Sequence, residues 1–238
     1  MPDDVTLKEY DRPLPVNVEK VQEALKDKCK VVGVRHRLSE NFVLLFLHYF
    51  AETPLNSNES INRSNWTHHV YFSIRSAAKT LYLGCTFETM GRLDAVIDSL
   101  SVFPGVILVA EWESDPSSIF DKDKELEKLW NGVQQNPESD GFLLTYCSVD
   151  KLNDFIRTVT QYWQSQINTR ENPPSLFLVV IAYEQEKRSQ RFIFVRSMEI
   201  SLSTLFLWHD FSFVDTNEYL RSLDKQQTPF QLKRKNTV

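Results

Sequence analysis

The chain has 238 residues, enough to bury a sizeable core, and its 42 % hydrophobic and 25 % charged composition excludes wholesale disorder and a fibrous protein. Twenty-seven lysines and arginines against 32 aspartates and glutamates leave a net charge of −5, which excludes a uniformly basic coat for nucleic acid but not an acidic metal site. The longest apolar runs, Phe42 to Phe50 and Leu176 to Tyr183, are about half of the roughly 20 residues needed to cross a bilayer, so no membrane span is expected.

Asn17 can cap a first helix, with Glu19 in its first turn and Val18, Val21 and Leu25 at helical spacing, and Val31 to Val34 reads as a short strand. Ser39 can cap the next segment, where Phe42, Val43, Leu45, Phe46, Tyr49 and Phe50 favour a buried helix. From Ala51 to Asn65 the composition shifts to Pro, Asn, Ser and Glu, which marks a loop. A helix from about Asn65 to Lys79 places Trp66, Val70, Ile74, Ala77 and Ala78 on one side and leads into a strand from Leu81 to Glu88. Arg92 to Asp98 and Val106 to Glu113 read as two strands of an antiparallel hairpin, joined through Pro104 and Gly105.

Beyond the hairpin, Asp121 or a nearby serine can cap a helix near 122–133 with Leu126, Leu129, Trp130 and Val133 on one face, before a buried strand from Phe142 to Cys147. Leu152, Phe155, Ile156, Val159, Tyr162 and Trp163 give the clearest amphipathic helix, and Leu176 to Tyr183 the strand after it. Arg191 to Arg196 and Ile200 to Trp208 add strands or a helix at one edge. Alternating strands and helices imply an α/β protein with a mixed central sheet flanked by helices. The predicted organisation is an N-terminal extension over 1–64 packed on or beside the core, an α/β core over 65–183, and a C-terminal extension over 184–238 that completes the sheet edge and ends in a flexible tail.

The opening Met-Pro-Asp-Asp lacks the basic and apolar regions of a secretory signal, so an intracellular, cytoplasmic protein is expected. Cys29, Cys85 and Cys147 lie too far apart for a zinc knuckle or a paired framework and read as reduced packing residues. The sequons at Asn58, Asn62 and Asn65 matter only in a secreted chain. Neither G-x-G-x-x-G nor G-x-x-x-x-G-K-[ST] occurs, which removes Rossmann and P-loop chemistry, and neither G-x-S-x-G nor H-E-x-x-H is present.

The informative stretch is Val106-Ile107-Leu108-Val109-Ala110-Glu111-Trp112-Glu113, a buried strand finishing in two carboxylates one residue apart. Strand alternation points Glu111 and Glu113 to one face, with Cα atoms roughly 6–7 Å apart, and sends Trp112 to the other face, where core packing is expected. Asp94 on the preceding strand can face the same point. Three converging carboxylates repel one another and lose solvation, so they need raised pKa values or a cation, and Mg²⁺ accepts such hard oxygen ligands.

These residues resemble the signature of the PD-(D/E)XK nuclease superfamily. Asp94 matches the first acid and Glu111 and Glu113 the second motif. Glutamate stands where most members have lysine, as in the E-x-E variant of some type II restriction endonucleases. The predicted order, helix, three strands, helix, strand, is similar to the core of that family over roughly residues 65–183. The resemblance implies a restriction-endonuclease-like core and Mg²⁺, with Mn²⁺ as substitute, on Asp94 and Glu111, while Glu113 serves as ligand or general base. Glu88 is a candidate further ligand. Lys122, Lys124, Arg188 and Arg191 are candidate nucleic-acid contacts. Lys122, Lys124 and Lys128 are candidates to replace the absent motif lysine, against the alternative of solvated charge. His68 and His69 occupy the helix where some viral relatives place a metal-binding histidine, although a helix-face histidine is more often structural. The expected function is metal-dependent hydrolysis of phosphodiester bonds in DNA, by a monomer or a homodimer. The alternative is a noncatalytic nucleic-acid-binding or protein-interaction module on the same fold.

Overall fold

A run such as Leu-Phe-Leu-Val-Val-Ile-Ala-Tyr is apolar at every position, and such a strand is stable only when both faces of its sheet are covered. The computed structural model describes residues 28–52, 63–89, 93–99, 105–113, 115–121, 124–168, 170–186, 189–212 and 233–234, and it provides that double cover. In chain order the elements are α1 (Lys28–Glu52), α2 (Arg63–Thr80), β1 (Gly84–Thr89), β2 (Leu93–Ser99), β3 (Gly105–Glu113), a 3₁₀ turn (Ser118–Phe120), α3 (Glu125–Gln135), β4 (Asp140–Ser148), α4 (Leu152–Ile167), β5 (Leu176–Glu186), β6 (Ser189–Ile200), β7 (Leu205–Ser212) and β8 (Lys233–Arg234).

The strands lie in one sheet in sequence order. β1, β2 and β3 form an antiparallel meander, β3, β4 and β5 run parallel, and β6, β7 and β8 return antiparallel. The protein is thus a mixed α/β fold whose central sheet is flanked by helices, as the alternating pattern predicts. α3 and α4 are the crossovers of the parallel strands and share one core with Leu93, Val109, Leu143 and Val180. α1 and α2 cover the opposite face through Phe42, Phe46, Trp66 and Ile74, packed on Leu108, Phe142 and Phe177. α1 therefore shares a hydrophobic cluster with the core strands. Among the described residues no helix is long and apolar enough to cross a membrane.

Several local expectations are corrected. Val31 to Val34 is not a strand but part of the 25-residue helix α1, and Ser39 is not its cap but an interior residue. The Ser39 hydroxyl can donate to the carbonyls of Arg35, one turn back, and of Ile107 in β3, so a residue expected to start a helix instead fastens its middle to the sheet. α3 starts after Lys124 without a side-chain cap, so neither Asp121 nor a serine caps it. Ile200 to Trp208 divides between the end of β6 and β7. The helix expected after Asn17 lies outside the described residues.

Candidate active site

Three features converge where β2 begins and β3 ends. The β1 to β2 ladder pairs Phe87 with Ala95 and Thr89 with Leu93 but skips the pair between them, Glu88 and Asp94. Glu88 has a left-handed backbone, φ 54°, a conformation that costs a non-glycine residue about 1 kcal/mol or more. The β2 to β3 ladder stops at Ala95 and Ala110, one position short of bringing Asp94 opposite Glu111. From there the strands part.

Each parted strand supplies a carboxylate to the other's backbone. The Trp112 N–H donates to Asp94 Oδ2 at 2.8 Å, and the Asp94 N–H donates to Glu111 Oε1 at 3.3 Å. These side chains take the place of the ladder bonds that a closed pair would form. The predicted meeting of Asp94 with Glu111 is present, and strand alternation sends Trp112 toward the α1 and α2 core, beside Phe87.

Glu111 faces α3 and is fully buried. Its Oε2 lies 3.7 Å from the Lys128 ammonium and has no hydrogen-bond partner. Lys128 also pairs with the buried Glu125 at 3.3 Å, and Glu125 Oε2 is a second buried oxygen without a hydrogen bond. Burial, then the neighbouring Asp94 charge, pushes the Glu111 carboxyl up to about 9. Burial likewise pushes Asp94 up to about 6 against the opposing Trp112 N–H. Burial works against the charge of Lys128, but Glu111 and Glu125 outweigh it and hold its pKa above the usual lysine value. The result is one ammonium among three desolvated carboxyl groups.

Gly132 explains how α3 comes close enough. A Cβ there would lie 2.8 Å from a Leu93 methyl carbon, so any larger residue would require the Leu93 side chain or the helix to shift at the first residue of β2, directly beside Asp94.

Asp94 also opens onto a cleft of about 330 Å³ whose remaining lining includes Glu88, Glu113, Thr67 and the rings of Trp66, Tyr71, Phe87 and Trp112. Glu88 and Glu113 thus border the same space as Asp94, while Glu111 lies behind it under α3. Glu113 turns its Oε1 to the Asp115 N–H at 3.0 Å. The predicted acids do not draw together as three ligands of one ion. Among the described residues, the group of three whose donor atoms all lie within 4.8 Å of one another is His36, Glu40 and Glu199, at the other end of the sheet.

Of the candidate nucleic-acid contacts, Lys124 is exposed at the start of α3, and Arg191 sits in β6 opposite Glu184, at the same end of the sheet as Glu113. Lys122 and Arg188 lie outside the described residues. His68 is exposed, and His69 is buried against the Phe50 ring with its Nε2 3.0 Å from the Phe50 carbonyl oxygen, a packing role that ties α2 to α1. Cys85 and Cys147 are free thiols whose pKa values burial pushes up to about 12 and about 11, which suits packing and leaves little thiolate for nucleophilic chemistry.

Sequence reading missed Glu125 as a member of the acid centre. The available signal was the Glu125/Lys128 spacing, which puts the two on one side of a helix. The oxygen donors of Asp94 and Glu111 have the chemistry of ligands for a hard divalent ion, and Glu111 Oε2 is a buried oxygen lacking a hydrogen bond, but it faces the Lys128 ammonium and not the cleft. Comparison with protein-family models, with curated proteins and with solved structures finds no match to this chain.

Proposed function

We propose that the protein is a metal-dependent nuclease of the PD-(D/E)XK type in its E-x-E form, hydrolysing phosphodiester bonds in DNA inside the cell. The observation that carries the proposal is the parting of β2 from β3, with Asp94 and Glu111 bonded across the gap and Glu111 Oε2 buried without a hydrogen bond. Asp94 and Glu111 are the residues that would hold Mg²⁺ or Mn²⁺, and the ion would supply charge neutralisation on the phosphodiester and a more acidic water. Glu113, which borders the same cleft as Asp94, would accept a proton from an attacking water. Lys128 supplies the positive charge that most of the superfamily draws from its motif lysine, delivered here from the helix after β3. Glu88 would be the further ligand, and Lys124 and Arg191, whose positions in the chain lie at this end of the sheet, would meet the phosphate backbone.

Cleavage of single- and double-stranded DNA and RNA with Mg²⁺, Mn²⁺ and chelator tests this reading. Cleavage dependent on the metal should fall by about 10³-fold in Asp94→Asn and Glu111→Gln, the scale set by losing several kcal/mol of charge stabilisation. Full activity in both folded variants removes the site assignment.

A second reading keeps the fold without the chemistry. The Lys128 ammonium already occupies the open side of Glu111, as an internal cation would in a noncatalytic nucleic-acid-binding or protein-interaction module. Metal-independent DNA binding with no cleavage under any metal favours it.

A further inference from the structure

At the opposite end of the sheet a second polar centre joins α1 to the strands. His36 and Glu40, one helical turn apart on α1, face Asp140 at the start of β4 and Glu199 near the end of β6. His36 Nδ1 lies 3.1 Å from Asp140 Oδ2. On the other side of the ring, Nε2 lies 3.4 Å from Glu199 Oε1 and 3.7 Å from Glu40 Oε1.

Three observations together point to a cation. The first is donor spacing: ligands held at about 2.0–2.2 Å in a tetrahedral shell stand roughly 3.3–3.6 Å apart, close to the two separations from Nε2. The second is the bond on the far side of the ring. An Nδ1–H donated to Asp140 fixes the imidazole's orientation and, once Nε2 has lost any proton, leaves the Nε2 lone pair for a metal, the outer-shell arrangement usual for a metal-bound histidine.

The third is preorganisation. Ser175 donates its N–H to Asp140 Oδ1 at 2.9 Å and its hydroxyl to Glu199 Oε1 at 2.7 Å, and both carboxylates are buried. The His36 ring lies stacked on Phe177. Three carboxylates therefore surround one imidazole. Arg35, next in the chain, is directed to Glu138.

We propose that His36 Nε2, Glu40 Oε1 and Glu199 Oε1 bind a single divalent transition-metal ion, with Asp140 positioning the imidazole. Zn²⁺ is the first choice, because it takes imidazole and carboxylate donors in a tetrahedral shell, whereas Mg²⁺ prefers oxygen alone. Binding displaces any proton on Nε2 to solvent while the Nδ1 proton stays on the Asp140 bond. His36 and Glu40 are each about one-third exposed, 32 % and 35 % by side chain, so an ion has a path in and the fourth position can hold water. The ion links α1 to β6. It is separate from the proposed nuclease metal and does not rest on that reading.

The experiment is titration of the full, chelator-treated chain with Zn²⁺ by calorimetry, and with Co²⁺ by visible absorption, which reports tetrahedral nitrogen and oxygen ligation. One equivalent per chain is expected, with a rise in melting temperature on loading. Affinity should fall at least tenfold in Glu40→Gln and His36→Gln and about 10- to 100-fold in Asp140→Asn, the usual range for an outer-shell partner. The same equivalent should remain in Asp94→Asn. If His36→Gln does not fold, Glu40→Gln, a change on a half-exposed helical face, decides the matter. Absence of a stoichiometric ion in the wild type, or uptake that Glu40→Gln leaves unchanged, overturns the proposal.

Discussion

The two ends of the sheet carry the same inventory and resolve it differently. At the end of β3, Lys128 stands among Asp94, Glu111 and Glu125; at the start of β4, His36 stands among Glu40, Asp140 and Glu199. In the first group two buried carboxylate oxygens have no hydrogen bond, and Asp94 and Glu111 are pushed toward their neutral forms. In the second, Ser175 donates to two carboxylates and the acids instead raise His36 to about 10, chiefly through the bonds to Asp140 and Glu199. Equal counts of charge thus produce an unsatisfied centre and a satisfied one. What differs is the supply of hydrogen-bond donors.

The largest effect that could break this contrast is the pH dependence of the first centre. The folded-state pKa of Glu111 lies above its ordinary value of 4.5, so its contribution to stability is fully present below about pH 4.5 and is lost as the pH rises toward 9. Glu111→Gln keeps an acceptor for the Asp94 N–H and carries no charge. The metal-free variant should be more stable than the wild type at pH 9 by on the order of 2 kcal/mol, and equal to it near pH 4, in urea melts across that range. A wild-type stability that does not decline between these limits would place the Glu111 carboxylate in a solvated setting.

Removing the cation sharpens the same point with a smaller effect. Lys128→Met should destabilise the protein at pH 8 by about 1–2 kcal/mol, because Glu111 and Glu125 lose the charge between them. In a Glu111→Gln background the same Lys128→Met change should cost less than it does in the wild type. An equal cost in both backgrounds would show that the 3.7 Å approach carries no coupling.

The smallest expected change lies at the other pole. Ser175→Ala removes the hydroxyl bond to Glu199 and keeps the backbone bond to Asp140, so a loss of about 1 kcal/mol is expected. Thermal unfolding measures it. No loss would mean that Glu199 replaces that donor without penalty.

How much of this was legible in the sequence depended on the range of the signal. The period of α4 and the apolar runs of β3 and β5 are local patterns, and they gave the alternation of strands and helices. The Glu-Trp-Glu ending of β3 was equally local, and Asp94 lies on the adjacent strand, so the approach of Asp94 to Glu111 could be expected, whereas the turn of Glu113 toward Asp115 could not. α1 was misread because Val31, Val32 and Val34 favour strands and Ser39 favours a cap, preferences that burial of Phe42, Phe46 and Phe50 against the sheet overrides. The His36 centre is assembled from three elements spread over more than half the chain, and the His36/Glu40 spacing is its one local sign. Which lysine of the segment after β3 would reach the acids depended on the seat of α3 over Gly132, a tertiary matter.

The side chains at the mouth of β2 and β3 also act as a wedge. Because Asp94 and Glu111 occupy the N–H groups that would otherwise zip the two strands together, they hold the sheet ajar at the point where it borders the cleft. Truncating Asp94 to alanine takes out the prop along with the charge, and the edges gain a reason to close over the gap. Asparagine keeps an oxygen for the Trp112 N–H, so the difference between the two replacements separates the shape of the opening from the chemistry performed there.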